Sequence, residues 1–297
     1  MEEQESEVTV RPARPADRAA ALAFCVDTFS WRDYIPEVWD QWLADPNGQL
    51  LIAEVSGVPV GLQHVAFLTP GEGWLQGLRV DPAVRRRGVA NALLEAGLAV
   101  AEQQGATAVR LFTASDNQAT QRMLASAEFR QVAAFTHLVA DAEAGVGPSP
   151  ERAVAAEIGA LWALVQDSQS YRLAEGLYCL GWRCAHLTEE RLRRLVIEGE
   201  VSVLRQQGKP VAAAVTLPAV HSCEADLWVA GVYGDHQSVS HLSRLLRARS
   251  AGLGWKSVSL LSPDVPEVVA PLLTAGFHRD HEEAPAMLLY EKELHPS

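Results

Sequence analysis

The order of apolar and polar positions in the first half of the chain predicts a layered mixture of strands and helices. Short apolar or alternating runs, typical of strands, occupy residues 7–11, 50–55, 60–68, 74–80, 108–113 and 131–140. Helical patterns occupy residues 15–28, 35–44, 89–104 and 117–126. Asp17 is placed to cap the first helix, and Gly105 to end the third. An antiparallel meander followed by strand, helix and strand predicts an α/β (α+β) fold.

The second half of the chain repeats features of the first. Gly48–Pro59 has the pattern of strand, turn and strand, and Gly199–Pro210 has the same pattern 151 residues later. Further matches at nearly the same offset pair Val80 with Val232, Leu93–Leu94 with Leu245–Leu246, and Phe129 with Phe277. Several matches in the same order predict two copies of one fold.

A linker separates the two predicted copies. Ala140–Pro150 is small, polar and rich in glycine and proline. We therefore predict one domain at residues 1–143, a linker at 144–151 and a second domain at 152–297. Each domain is expected to be a central mixed, mostly antiparallel sheet flanked by helices.

Composition and charge narrow the possible function classes. The chain has 297 residues, 48% apolar residues and a net charge of −12, and acidic residues outnumber basic ones in both halves. Disorder of the whole chain is therefore excluded, and a nucleic-acid partner, which needs clustered cations, is not expected. No apolar stretch approaches the roughly 18 residues of a membrane span, and the acidic start Met1–Glu5 does not resemble a signal peptide. We expect a cytoplasmic protein with no membrane partner.

The cysteines and histidines do not predict a metal site. The four cysteines, Cys25, Cys179, Cys184 and Cys223, form no Cys-x-x-Cys pair, and reduced buried thiols are expected. The run His278-x-x-His281-Glu282-Glu283 is interpreted as a surface charge cluster. No metal is therefore expected.

The segment from Leu78 to Leu94 carries the most specific chemistry. A strand ends at Val80, Asp81-Pro82 turns the chain, and three arginines and a glycine lead into a helix. A helix N-terminus presents unpaired N–H groups, and glycine lets an anion approach the backbone. Consecutive arginines alone are typical of a solvated surface, but strand, turn and helix around them favour a diphosphate site. The residues predicted to bind it are Arg85, Arg86, Arg87, Gly88, Val89, Ala90 and Asn91.

Arg85-x-x-Gly88-x-Ala90 resembles the (Gln/Arg)-x-x-Gly-x-(Gly/Ala) signature of the GNAT superfamily of N-acetyltransferases. Asn117-x-x-Thr-x-x-Met-Leu-x-x-x-Glu-Phe129 is similar to a second motif of that family. The resemblance implies acetyl-CoA as cosubstrate, with its pyrophosphate on the arginine–glycine loop. It also implies that the backbone of Leu78, Arg79 and Val80 contacts the pantetheine arm and the thioester, and it adds Asn117 to the cofactor-binding residues.

Two residues depart from the family pattern. Leu124 stands where the family often has a tyrosine that protonates the departing thiolate, and Glu128 stands where glycine is usual. An alkyl thiol has a pKa of about 8.5, so its thiolate is a fair leaving group without that donor. The substitution is therefore compatible with transfer, and it is also compatible with weak catalysis or with a proton donor elsewhere in the chain.

The second copy is interpreted as degenerate. In an alignment without gaps, Gln237, Ser240 and Leu242 take the places of Arg85, Gly88 and Ala90. Asp235 adds a negative charge where a diphosphate would lie, which opposes binding of an anion. A tandem pair with one degenerate copy resembles the architecture of mycothiol synthases.

The resemblance implies direct transfer of an acetyl group from acetyl-CoA to an amine of a small-molecule or peptide acceptor. His64 and Glu72 are the candidate catalytic residues, and a packed, hydrogen-bonded side chain is the alternative for His64. Covalent catalysis by Cys25 is not expected, because it lies in an apolar helix with no histidine near it in sequence. Two alternatives stay open: a CoA-binding or partner-binding protein with little transferase activity, and a transferase that uses another acyl-CoA.

Overall fold

The computed structural model describes residues 7–26, 33–144, 149–218, 227–280 and 285–294. Up to residue 141 its strands and helices are those that the sequence predicts. They are β1 (Val8–Pro12), α1 (Arg18–Cys25), α2 (Ile35–Leu43), β2 (Gly48–Val55), β3 (Val58–Thr69), β4 (Glu72–Val80), α3 (Val89–Gln103), β5 (Ala108–Ala114), α4 (Gln118–Ser126) and β6 (Arg130–Asp141).

The remaining elements follow a similar order with one added hairpin. They are β7 (Glu151–Arg152), α5 (Ile158–Asp167), α6 (Gln169–Leu173), β8 (Leu177–Cys179), β9 (Cys184–His186), α7 (Glu189–Glu198), β10 (Val201–Gln206), β11 (Lys209–Pro218), β12 (Leu227–Gly234), α8 (His236–Gly252), β13 (Ser257–Pro263), α9 (Pro266–Thr274), β14 (His278–Arg279) and β15 (Met287–Glu293). The run β10-β11-β12-α8-β13-α9 repeats the run β2-β3-β4-α3-β5-α4.

The chain divides into two compact units whose segments interleave. The first unit contains Met1–Leu111, Arg122–Arg130 and Glu291–Ser297, and the second contains Phe112–Gln121 and Gln131–Tyr290. The predicted domain boundaries at residues 143 and 152 stay a prediction. In this division Phe112–Gln121 and the segment from Gln131 belong to the second unit, and Glu291–Ser297 belongs to the first. Within that unit the Leu294 N–H donates to the Thr107 carbonyl at 2.8 Å. The similarity between the two halves of the sequence does not show that the C-terminal segment belongs to the first unit.

In the first unit, helices pack on a mostly antiparallel mixed sheet, as expected. The strands lie in the order β1-β2-β3-β4-β5, and only the β4–β5 pair is parallel. Buried residues recur at helical spacing on α1 (Ala21, Phe24, Cys25) and on α2 (Ile35, Trp39, Trp42). These residues form one core with Leu50, Ile52 and Leu62 of the sheet, and α3 packs on β3 and β4.

The second unit has a sheet of the same kind. Its strands lie in the order β6-β13-β12-β11-β10-β7, and only the β12–β13 pair is parallel. The helices α8 and α9 pack on this sheet around Leu242, Leu246, Val269 and Leu272. The two short strands β8 and β9 form a separate hairpin.

A pair of mirrored charge clusters accompanies the repeat. In the first unit Arg11 of β1 binds both Asp17 and Glu54 of β2. In the second unit the charges are exchanged, since Arg205 of β10 binds Glu157 and Glu151 of β7. Asp17 stands at the N-cap position of α1 as predicted, but its side chain makes no capping hydrogen bond to that helix. Its carboxylate is held by Arg11 and by the Arg14 N–H, at 2.7 Å, while Gly105 ends α3 with φ +73° as predicted.

Candidate functional site

The loop between β4 and α3 leaves a helix N-terminus open. Asp81 accepts a hydrogen bond from the Ala83 N–H at 2.8 Å and starts a short 3-10 turn at Pro82–Val84. Gly88 then takes the N-cap position of α3 with φ +79°, and a Cβ built on it would meet nothing within 4 Å. Gly88 has no side chain to accept hydrogen bonds from the first-turn N–H groups, so they are available to an anion from outside the chain.

Three arginines surround this opening. Arg85, Arg86 and Arg87 are all exposed, and Arg86 is in the left-handed region with φ +65°. Their guanidinium groups bring positive charge to the same loop as the open helix end. Val89 is buried against the sheet, whereas Ala90 is half-buried and Asn91 is exposed. The predicted diphosphate-binding residues Arg85–Asn91 are thus contiguous and accessible, apart from the buried side chain of Val89.

The strand that leads to this loop extends beyond its parallel ladder. Among the described residues, the parallel ladder between β4 and β5 ends at Trp74 and Arg110, although β4 continues to Val80. A strand that runs on past its ladder suits an extended ligand, which can add backbone hydrogen bonds along that edge. This part of β4 includes Leu78, Arg79 and Val80, the residues expected to contact the pantetheine arm.

A β-bulge interrupts β4 just before Leu78. The register with β3 shifts between Leu62 and His64, and Gly77 lies at the shift with φ +71°. A Cβ on Gly77 would lie 2.5 Å from Cζ3 of Trp42. Gly77 is therefore required by both its backbone conformation and the indole packed against it.

The side chain of Arg79 belongs to a buried ion pair. Its Nε lies 2.7 Å from Asp33 Oδ2, and its guanidinium lies 5.2 Å from the centroid of the Tyr34 ring. The pair fixes the start of α2 to β4 from within the first unit. The nearby Cys25 is buried, and burial, together with the Asp33 charge, raises the pKa of its thiol to about 12. Cys25 is therefore mainly an uncharged thiol at neutral pH, and the expectation against covalent catalysis stays a prediction.

His64 is enclosed within the first unit. Its ring is 1% exposed and stacks on Trp42 with a centroid distance of 4.7 Å. Nδ1 lies 2.9 Å from Gln76 Nε2, and Nε2 lies 3.4 Å from Asp45 Oδ2. These are the surroundings of a packed, hydrogen-bonded histidine. The side chain of Asp45, whose carboxylate contacts the ring, is 23% exposed. A catalytic role for His64 stays a prediction.

Glu72 lies at the opposite end of β4 from the open helix. Val80 lies eight positions further along β4, which is about 27 Å in an extended strand. Its carboxylate lies 2.8 Å from Arg110 Nη1 and also accepts a hydrogen bond from the Thr69 hydroxyl. The structure does not bring Glu72 together with His64 or with the Arg85–Gly88 loop, and its catalytic role stays a prediction.

Two further positions from the sequence analysis lie at the start of α4 and within it. Asn117 precedes the helix, and its Oδ1 accepts a hydrogen bond from the Thr120 N–H at 3.1 Å. Asn117 thus caps α4, which is a structural role visible in the chain itself. Leu124, at the position where the family often has tyrosine, is fully buried.

The corresponding helix end in the second unit is closed. Asp235 is the N-cap of α8, and its carboxylate accepts hydrogen bonds from the Ser238 N–H and hydroxyl, both at 2.9 Å. This backbone hydrogen bond lowers the pKa of Asp235, so the position carries a negative charge. Gln237, Ser240 and Leu242 lie within α8, so helix replaces the phosphate loop.

The β12 edge in the second unit is also occupied. The Ser170 hydroxyl donates to the Val232 carbonyl at 2.6 Å, and the Gly234 N–H donates to the Ser168 hydroxyl at 3.4 Å. A cavity of about 510 Å³ remains beside these residues, lined in part by Tyr233 and Leu260. The second unit keeps a cavity but lacks the open helix end of the first.

Sequence reasoning missed the residues that surround the predicted ones. Asp33, Trp42, Asp45 and Gln76 reach the site only through the register of β3 with β4 and the packing of α2. No local pattern in the sequence marks these residues. The pairing of β3 with β4 could have been counted from the turn between them, but the count would have been wrong beyond the bulge at Gly77, because the bulge shifts the pairing.

The described residues show neither a metal site nor a spanning helix. In the described ranges, no three His, Cys, Asp or Glu side chains lie together so that they could hold a metal ion. His281, Glu282, Glu283 and Cys223 lie outside these ranges. The helices that the structure describes are all too short or too polar to cross a membrane.

Comparison with known proteins gives one family over part of the chain. Residues 17–129 match the model of the Acetyltransferase (GNAT) family. A histidine N-acetyltransferase of Oreochromis niloticus is 36% identical over 74 residues, which are 25% of this chain and 22% of that protein. The match therefore spans about a fifth of the length of this relative.

Solved structures resemble the fold over nearly the whole chain. A GCN5-related N-acetyltransferase from Sphaerobacter thermophilus superposes with a TM-score of 0.65 at 15% identity, covering 98% of this chain and 96% of that one. A tandem GNAT protein from the clavulanic acid biosynthesis pathway gives a TM-score of 0.56 at 13% identity, covering 98% of this chain and all of that one. At these identities the likeness concerns the fold alone.

Proposed function

Residues 17–129 belong to the GNAT family of acetyltransferases, and from this premise we propose that the chain transfers an acetyl group from acetyl-CoA to an amine. The observation that carries the proposal is the open N-terminus of α3 at Gly88, beside Arg85–Arg87 and next to the part of β4 that runs on past its described ladder with β5. An open helix end with adjacent cations suits a diphosphate, and a strand that runs on past its ladder suits the amide-containing arm attached to it.

The proposed reaction is a direct attack in a ternary complex. Acetyl-CoA, when bound, supplies the acetyl thioester. The first-turn N–H groups of α3 and the arginines hold the diphosphate, and a backbone N–H near Leu78–Val80 donates to the thioester oxygen as negative charge develops there. The amine nitrogen bonds to the carbonyl carbon and loses a proton to a base, while the C–S bond breaks and the thiolate leaves.

We propose His64 or Glu72 as the general base. The contact of His64 with Asp45 supports His64, since that carboxylate gives the imidazole a polar connection towards solvent. Its test is the pH profile of kcat/KM for His64→Gln and for Glu72→Gln. A base must change the acidic limb of the profile when replaced, whereas a packing residue changes only stability.

We further propose that the second unit is a degenerate copy of the same fold. The repeated order of elements, the full-length likeness to a tandem GNAT protein and the helix end closed by Asp235 support this. The closed end leaves the first unit as the proposed cofactor site.

Acetyl-CoA binding is tested by thermal unfolding with Gly88→Glu and a matched control. A ligand at 100 times its Kd stabilises the folded state by about 2.7 kcal/mol. Gly57 has nearly the same φ, +77°, and equally open surroundings, so Gly57→Glu introduces the same strain and charge away from α3. We expect acetyl-CoA to raise the Tm of the wild type and of Gly57→Glu, but not of Gly88→Glu. No shift in the wild type would overturn the proposal.

A CoA-binding protein with little turnover is the second candidate, and the buried Leu124 favours it. Binding does not separate the two functions, but release of free CoA thiol with a set of amines does. Thiol release above the rate without amine supports the transferase. Binding without release supports the second candidate, and release only with longer acyl-CoA donors identifies another acyl group.

A further inference from the structure

Three aromatic rings of the second unit form a partly exposed corner. His137 of β6 stacks on Trp228 of β12 with a centroid distance of 6.0 Å and an interplanar angle of 17°. The ring centroid of Trp182 lies 5.0 Å from that of His137 and 6.4 Å from that of Trp228, with interplanar angles of 56° and 50°. We call these three residues the aromatic corner. Trp182 is 49% exposed, which is unusual for so large an apolar side chain.

A carboxylate stands beside the aromatic corner. Asp280 Oδ2 lies 3.2 Å from His137 Nδ1, and the Asp280 side chain is 44% exposed. The backbone ties the two residues as well, because the Asp280 N–H donates to the His137 carbonyl at 3.2 Å. Ring faces and an exposed carboxylate in one place attract the same kind of ligand group, a cation.

The aromatic corner is held in place by its supports. Trp228 donates its indole N–H to the Cys179 carbonyl at 2.7 Å, which links β12 to the β8–β9 hairpin. Trp182 lies in the turn of that hairpin, between the paired residues Cys179 and Cys184. The turn is closed by the Leu180 N–H and the Arg183 carbonyl at 2.6 Å. A rigid support reduces the entropy lost when a ligand binds.

We propose that the aromatic corner, together with Asp280, binds the ammonium group of a small cationic ligand. The π faces of the indoles stabilise the charge, and the carboxylate supplies the opposite charge. A methylated or primary ammonium fits this chemistry, whereas an anion or a phosphate does not. The net charge of −12 favours the approach of such a ligand. This site is separate in chemistry from the anion site proposed at α3.

The test uses choline and its neutral isostere, 3,3-dimethylbutan-1-ol. Choline has no N–H and cannot be an N-acetyl acceptor, so its binding is independent of the proposed transfer reaction. Full-length protein labelled with 5-fluorotryptophan is titrated with each compound, and the fluorine resonance of Trp228 is followed. We expect a saturable shift with choline and none with the isostere.

Two variants and one control locate the site. Trp182→Ala and Asp280→Asn should each weaken choline binding by at least about threefold, judged from the strength of exposed cation–π contacts. Asp167→Asn, which removes a carboxylate that is 92% exposed on α5, should leave it unchanged. Asp280→Asn keeps the test valid if Trp182→Ala does not fold. Equal shifts with both compounds, or unchanged choline affinity in both variants, would overturn the proposal.

Discussion

Arg110 is a buried cation held between two carboxylates, and replacing it with methionine should destabilise the first unit strongly. Arg110 is 2% exposed, with Nη1 2.8 Å from Glu72 Oε1 and Nε 2.6 Å from Glu291 Oε2. Methionine fills part of the same space but leaves both carboxylates, each 13% exposed, without the guanidinium. Removing one partner of a buried ion pair costs about 3–5 kcal/mol.

The matched control uses the same carboxylate. Arg130 also pairs with Glu291, at 3.4 Å, but its side chain is 66% exposed. An exposed pair of this kind contributes about 0–1 kcal/mol. Arg130→Met therefore removes a positive charge from the same carboxylate with little expected loss of stability.

The assay is urea unfolding of the full chain, followed by circular dichroism. With a urea m-value of about 1–3 kcal/mol/M, the expected loss moves the midpoint for Arg110→Met by about 1 M or more. Adding Glu72→Gln to Arg110→Met should recover part of the loss, because one of the two buried charges is then removed. Equal midpoints for Arg110→Met and Arg130→Met would refute the reasoning from burial.

Two further predictions concern residues of the first unit. Gly77→Ala should lower the free energy of unfolding by about 2 kcal/mol or more in urea unfolding, since it adds left-handed strain and a clash with Trp42, and a loss below 0.5 kcal/mol would contradict the geometry. Arg11 lowers the pKa of Asp17 below its ordinary 3.8, so Asp17 stabilises the fold above about pH 4 and the stabilisation is lost as pH falls through the lowered pKa. Acid unfolding of Arg11→Gln should therefore show a shallower loss of stability below pH 4 than the wild type; an identical slope would exclude this pair as the cause.

Local patterns in the sequence were sufficient for the elements of the first half. Periodicity and turn residues predict the ten strands and α-helices that the structure describes up to residue 141. Gly105 follows the end of α3 in a left-handed conformation, as its place after the helical pattern predicts. The loop at Gly88 was recognisable as well, because strand, turn and helix follow each other within one short segment. Each of these features depends on residues that are neighbours in sequence.

The surroundings of the site could not be predicted in the same way. His64 meets Asp45 and Gln76 only through the packing of α2 and the register of β3 with β4. Glu72 is paired with Arg110 because the parallel β4–β5 register brings two distant segments together. The Asp17 carboxylate pairs with Arg11 of β1, six residues earlier in the chain, and makes no capping hydrogen bond to α1. These contacts depend on tertiary packing, which overrides local preference.

Gly88 and Asp235 stand at the N-termini of equivalent helices, and they leave the unpaired N–H groups there in opposite states. At Asp235 the chain provides its own anion, so the folded state of that unit needs nothing from outside. At Gly88 the amides are left open, and the proposed binding of acetyl-CoA there would raise the population of the folded first unit as the ligand concentration rises. Under this proposal the ligand concentration would set how often the first unit opens, and hence how fast a protease can cut it. The lifetime of the protein would then follow the concentration of acetyl-CoA.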